Sequence, residues 1–248
     1  SFLSKNSIDR VFMSNFLELC KDMARDVGIP GSGPSSVTSS SLSEEENSII
    51  RYIKKADIDI QSRWFDWDFL WSEASISTII GTSTLTSTNS GFPSALGNWK
   101  TDSIVWEKAT DDYLVLEHMF WNEYRDTYKY GTILSDSPEV YAIKPDNNLD
   151  LYPTPDAVKT ISTEYWKSPT EMSVDGSNSA IPIRFRKIII ARAKIYYAEN
   201  EDATEILEGS LTEFEDLLDK LEADQLPRQK NRRFSQAQDL YNFTVVPE

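Results

Sequence analysis

LDLYPTPDA, Leu149–Ala157, is the stretch on which the fold reading turns. Leu149 and Leu151 fall on one side of an alternating pattern, the period of a strand with one apolar face. Pro153 and Pro155 follow with only Thr154 between them. Proline has no N–H to give to a ladder, so the strand must stop and the chain must turn. Upstream, Pro145-Asp146-Asn147-Asn148 is a strong turn sequence. It makes Glu139–Lys144 (EVYAIK) and Leu149–Tyr152 the arms of a hairpin. Downstream, Ile161, Thr163 and Tyr165 alternate within residues 158–167, which read as a third strand. The two prolines are therefore expected to separate two strands of one meander.

The β pattern extends back to residue 75. SISTII (75–80), TLTST (84–88), SIVWE (103–107) and YLVL (113–116) are short, β-branched and bounded by Gly, Asn, Pro and Asp. The loop STNSGFPSALGNW (87–99) is long enough to be expected as a surface projection. HMFWNEYRDTY (118–128) reads as a short helix with Phe120, Tyr124 and Tyr128 on one side.

Helical periodicity brackets this region. Phe12, Phe16, Leu19, Met23 and Val27 recur at helical spacing over 11–27, and Gly28 is a natural stop. A Gly/Pro/Ser-rich connection follows, 28–42. Its Gly31–Gly33 pair lacks the preceding strand and following cation that a phosphate loop needs. Ser43 with Glu46 makes a capping box for a second helix, whose stripe is Ile49, Ile53, Ala56 and Ile60. That helix runs to about residue 64 and into RWFDWDFLW, which holds Trp64, Phe65, Trp67, Phe69 and Trp71. Trp64, Trp67, Phe69 and Trp71 read as a core or subunit contact, because aromatics bury the most area per residue. Stacking on a sugar or base is the competing use. A third helix begins near Ile183. After the polar corner ENEDA (199–203), Leu207, Leu211, Phe214, Leu218 and Leu221 mark a packing seam on a fourth.

The fold class expected is α+β. An antiparallel helix bundle (about 11–27, 44–64 and 183–224) carries an inserted small antiparallel sheet or sandwich and ends in an extended C-terminal segment. The domain boundaries drawn are 1–74 with 180–227 for the helices, 75–179 for the β-rich insert and 228–248 for the last segment. The last segment alternates Tyr241, Phe243 and Val245 and also carries Phe234. Arg228, Lys230, Arg232 and Arg233 oppose Asp239 and Glu248 there, a net +2. It reads as an extended strand able to pair with a partner's sheet edge.

The whole chain carries −15, so residues 1–227 carry −17. Bulk binding to a phosphate backbone is unfavourable at that charge. Cys20 is the only cysteine, which rules out an internal disulfide and sites with two thiolates; it reads as a buried small residue. No apolar run is long enough to cross a membrane, and SFLSKNSIDR has no apolar signal core. His118 is the only histidine and has no nucleophile motif around it. Asp66 and Asp68 flank aromatics, not the glycine turn of a calcium loop. Glu199, Glu201, Asp202 and Glu205 read as a solvated helix corner. No acid pair is singled out for glycoside hydrolysis. No cofactor, metal or catalytic residue is expected.

Several phrases, in order, resemble the head-to-tail adaptor (head-completion or connector) proteins of tailed bacteriophages, the podovirus-type adaptor family. They are GIPGSGPSSV (28–37), SIIRYIKKADIDIQSRWFDWDFL (48–70) with Ala56, Ile60, Gln61, Trp64, Trp67, Phe69 and Leu70, and FWNEYRDTY (120–128). PEVYAIKPDNNLDLYPTPD (138–156), with its LYPTPD phrase, is the sharpest. EYWKSPTEMSVDG and IPIRFRKIIIARAKIYYA complete the order, so the resemblance covers about residues 14–227. Residues 75–105 match no pattern of the family.

The resemblance implies a virion protein of the neck, assembled in the host cytoplasm. It implies a homo-oligomeric ring, dodecameric to match the portal, that extends the DNA channel without sequence-specific DNA binding. Its partners would be the portal protein and tail or nozzle proteins, with no membrane. Residues 228–248 vary within that family and nothing carries over to them by residue; their basic charge and alternation make Arg228, Lys230, Arg232, Arg233, Phe234, Tyr241, Phe243 and Val245 the candidate portal-docking segment. The Trp-and-acid pattern keeps a carbohydrate-binding or glycan-active module open, and another ring protein of the neck or tail is the third reading.

Overall fold

The first helix starts where Asn15 caps it. The Asn15 side chain accepts the Glu18 amide at 3.0 Å, and the Glu18 carboxylate accepts the Asn15 amide. In this computed structural model, which describes residues 15–226 apart from 30, 32, 110 and 111, α1 is Phe16–Asp26. It starts later than the sequence periodicity predicts, because Asn15 has extended backbone and its side chain closes the first turn. Residues 11–14 lie outside the described residues.

Helix α2 (Glu44–Ser62) begins on the predicted capping box. The Glu46 amide donates to Ser43 Oγ at 3.2 Å, and the Ser43 amide donates to Glu46 Oε2 at 2.9 Å. The final pair is α4 (Lys187–Asn200) and α5 (Thr204–Gln225). Residues 183–185 form a 3-10 turn before α4, not its first turn.

α4 is buried through Ile188, Ile189, Ile190, Ala191, Ala193, Ile195 and Ala198. A helix that is apolar all round needs neighbours on every side, and α4 packs against α1, α2 and α5. All four helices contribute to one apolar core with Trp67, Leu70, Met172 and Ile181. On α5, Leu211 is exposed and the small Ser210 takes the buried place, so the seam runs through Phe214, Leu218 and Leu221.

A second core lies between two sheets. The first contains β1 (Trp71–Ser77), β3 (Leu96–Trp99), β4 (Val105–Ala109), β5 (Asp112–Val115) and β9 (Thr160–Lys167). β9 is central: β1 pairs along one edge with Ile76 opposite Ile161, while β3 and then β4 pair along the other. β5 pairs with β4. The second sheet runs β2 (Thr84–Leu85), β8 (Leu149–Tyr152), β7 (Val140–Ile143), β6 (Glu117–His118). Ile76, Trp106, Ile161 and Tyr165 of the first sheet meet Leu85, Tyr141, Leu149 and Leu151 of the second.

The hairpin β7–β8 forms with the predicted turn, but β8 and β9 do not belong to one meander. The segment Pro153–Lys159 carries the chain from the second sheet to the first. An amide-free proline frees the chain to leave its ladder without saying where it goes. The β region is also not wholly antiparallel, since β6 pairs with β7 in parallel. The predicted helix at 118–128 is shorter: α3 (Trp121–Tyr124) continues as a π-helical turn over Arg125–Lys129, and His118 lies on β6.

The predicted projection at 87–99 is no projection. Asn89 is buried and donates to the Ser77 carbonyl at 2.9 Å, Phe92 packs on the second core, and residues 96–99 are β3. The chain is α+β, as predicted.

Candidate functional site

Among the described residues no group of three or more His, Cys, Asp or Glu side chains is placed to hold a metal, and no helix is long and apolar enough to cross a membrane. His118 packs its ring against Tyr141 and Phe120, and partial burial lowers its pKa. Cys20 is buried under α1, and burial, with Asp175 nearby, pushes its thiol up to about 12. Neither has the setting of a reactive group. The surfaces that remain are those that could meet other macromolecules.

The first is the helix-to-strand junction. Trp67 is fully buried, stacks on Phe69 at 5.2 Å and donates its indole N–H to the Ile60 carbonyl at 3.2 Å. Phe69 packs against the helical core. Trp64 and Trp71 are nearly half exposed, and each indole N–H is held by a carboxylate: Trp64 by Glu222 and Trp71 by Glu164, both at 2.9 Å. Phe65 is exposed and meets Trp166 edge to face. The aromatic run therefore splits between core (Trp67, Phe69) and surface (Trp64, Phe65, Trp71). Trp67 cannot offer a face to a sugar. Nor can Trp99, which is buried with its N–H on the Asn147 carbonyl at 2.8 Å.

The second surface lies at the far end of the β layers. β1 leaves the helical core at Trp71, and β9 returns to it at Trp166, so Ser77 and Thr160 mark the remote end. There the Thr78 amide donates to the Lys159 carbonyl, Gly81 to Pro155 and Thr154 to Leu134, each at 2.9 Å. These bonds gather Ile79, Ile80, Leu134 and Val158 at one end. Ile133 adjoins them, and Tyr113 of β5 stands on the same end, one step beyond the Trp106–Ile161 pair. All six are between 45 and 81 % exposed. Apolar residues collected in this way on a surface mark a contact site. Sequence reading missed this surface, because the residues come from four separate segments whose ends only the sheet pairing brings together.

The third is the outer face of α2. Arg51, Lys54 and Lys55 stand there in an acidic protein. Lys54 pairs with Glu171 at 2.7 Å, and the Lys55 ammonium lies 3.8 Å over the Tyr196 ring. Shallow hollows flank the Arg51–Lys55 ridge. One reaches Asn47 and Ile58, and the other Tyr196 and Asn200.

Beneath α2 lies a buried polar bracket. Asp57 is fully buried and accepts from Ser179 Oγ and, at 2.9 Å, from Gln61 Nε2. Gln61 Oε1 in turn accepts the Thr170 amide at 3.2 Å. The bracket ties the 168–181 connection to the helices, which fixes how the β layers leave the helical core.

Arg228, Lys230, Arg232, Arg233, Phe234, Tyr241, Phe243 and Val245 lie outside the described residues.

A family model described as SU10 adaptor protein matches residues 14–238. No curated protein matches the sequence. The chain belongs to the SU10 adaptor protein family, which makes it a structural adaptor of a bacteriophage virion that meets other virion proteins.

Proposed function

We propose that this member of the SU10 adaptor family forms a ring in the virion neck, below the portal, and extends the DNA channel toward the tail. The ring is dodecameric, matching the portal of a podovirus-type particle. Each copy is a helix bundle (1–74 and 180–227) that meets the portal and its neighbours. A β-rich insert (75–179) faces the tail or nozzle. Residues 228–248, with Arg228, Lys230, Arg232, Arg233, Phe234, Tyr241, Phe243 and Val245, dock on the portal as an added strand. Assembly takes place in the host cytoplasm, and the acidic body keeps passing DNA from adhering.

The observation that carries this reading is the separation of ends. The helical core lies at one end of the β layers, and the exposed apolar set of Ile79, Ile80, Tyr113, Ile133, Leu134 and Val158 lies at the other. A spacer between two assemblies needs a contact at each end. Acting as a structural part, it needs no catalytic site.

Imaging of the intact particle tests the proposal. The expected density is a ring below the portal, with residues 79–81, 133–134 and 155–158 turned away from the portal. Finding the chain elsewhere in the particle sinks it. Purified portal rings should retain the full chain and lose it when residues 228–248 are removed; equal retention removes the docking role of that segment alone.

A further inference from the structure

We infer that the basic outer face of α2 on one copy binds the acidic outer face of α5 on the next copy, head to tail, and that this contact closes the ring. The inference rests on the ring reading above and names its interface.

The acidic face is regular. Glu205, Glu208, Glu215, Asp216 and Asp219 are all exposed and fall on one side of α5 at 3.6 residues per turn. Asp216 pairs with Lys220; Glu208, Glu215 and Asp219 have no cation partner among the described residues. On α2, Arg51 and Lys55 are exposed, one turn apart, and no carboxylate pairs with them among the described residues.

The two faces cannot satisfy each other within one chain. α4 packs between α2 and α5. The helices α2 and α5 meet just past the end of α2, where Arg63 lies over the Phe214 ring and Trp64 bonds Glu222. Both stripes are exposed and lie opposite the residues that each helix buries in the core. Complementary patches at different places on one molecule make a heterologous contact, which repeats from copy to copy and closes when the rotation allows.

The spacings also agree. Along α2, Ile58, Lys55 and Arg51 follow at steps of three and four residues. Along α5, Leu211, Glu215 and Asp219 follow at steps of four. Leu211 is 40 % exposed and Ile58 is partly exposed. Antiparallel alignment sets Ile58 against Leu211, Lys55 against Glu215 and Arg51 against Asp219, an apolar contact followed by two ion pairs on successive turns. The hollows beside the Arg51–Lys55 ridge leave room for the incoming side chains. Copies that each carry −15 repel at long range. A local contact of opposite sign gives them both an attraction and a register.

The test uses two full-length variants, Arg51→Glu/Lys55→Glu and Glu215→Lys/Asp219→Lys, with sedimentation velocity at low salt. The parent is expected to self-associate. Each variant alone sets like charges together, and its self-association should weaken by at least about 100-fold. An equimolar mixture restores both junctions in alternation and should recover the parent assembly. A carbodiimide cross-link between Lys55 and Glu215, joining isotopically distinct copies of the parent, gives the register. A parent that stays monomeric, a variant that assembles like the parent, or a mixture that fails to recover overturns the inference. Loss of the secondary-structure signal in either variant is checked by circular dichroism, and a variant that does not fold is replaced by the neutral change on the same helix, Arg51→Gln/Lys55→Gln or Glu215→Gln/Asp219→Asn, whose weakened self-association is read without the mixture. A particle image with a ring closed through other surfaces refutes this interface and leaves the adaptor function standing. Absence of the chain from the neck refutes the function itself.

Discussion

Gly91 lies directly on Ser75: a Cβ placed on Gly91 would sit 1.9 Å from the Ser75 carbonyl oxygen. The approach is fixed on both sides, because the Ser77 amide donates to the Ser90 carbonyl at 2.9 Å and Asn89 returns a bond to the Ser77 carbonyl. This pins the 87–99 segment to β1 and makes it part of the sheet's support.

Gly91→Ala should therefore be costly twice over. The glycine has φ of +82°, and the new methyl meets backbone that cannot step aside. Strain and overpacking together give a loss of about 2–5 kcal/mol. Gly81→Ala is the control. Gly81 has φ of +74° but nothing within 4 Å of its Cβ position, so only the backbone strain of about 1 kcal/mol applies. Urea unfolding of the two variants should separate them clearly; equal losses would mean that Ser75 does not set the limit.

Trp106 offers a second comparison. It is buried in the β core, and its indole N–H has no acceptor among the described residues. The N–H of Trp67 is bonded to the Ile60 carbonyl. Changing Trp to Phe removes similar apolar volume at both places. At Trp106 it also removes an unmet donor, and at Trp67 it removes one of the two bonds that the Ile60 carbonyl accepts, the other coming from the Arg63 amide. Trp106→Phe is expected to cost about 1–2 kcal/mol less than Trp67→Phe in equilibrium unfolding. The reverse order would show that Trp106 finds a partner in solution.

Local chemistry was legible where it was self-contained. The Ser43–Glu46 box starts α2 because both partners lie within one turn. The Pro145–Asn148 turn closes β7 on β8 because a tight turn leaves little choice of neighbour. What failed depended on pairing across long separations. The prolines at 153 and 155 signal an exit, but β9 finds β1 more than eighty residues back, and nothing local encodes that choice. β3 was hidden because LGNW has little strand propensity; it is a strand because Leu96 and Trp99 pair with β9. Trp64, Trp67, Phe69 and Trp71 could be located as a cluster, yet their division between core and surface is set by the 3-10 turn at Asp68–Leu70. The α2 and α5 charge stripes form no local motif and take their meaning only from the packing of α4 against both helices.

Asp57 makes the last prediction, a pH dependence. Burial pushes its carboxyl up to about 6, against the bonds from Ser179 and Gln61 and the positive charge of Arg186. The folded pKa stands above the unfolded value near 3.8, so the folded state holds this proton more tightly. The stabilising contribution of the protonated form is complete below pH 3.8 and is lost as pH rises through about 6. Asp57→Asn has no such proton to lose. Its stability relative to the parent should therefore be better at pH 7 than at pH 4 by about 2 kcal/mol. Glu164 and Glu213, whose pKa values are lowered by Lys100 and by Lys187 and Lys194, push the other way but are common to both proteins and cancel in the difference. Urea titrations of both proteins at several pH values between these limits read the effect directly. Parallel curves would show that Asp57 stays ionised in the fold, with Ser179, Gln61 and Arg186 outweighing its burial.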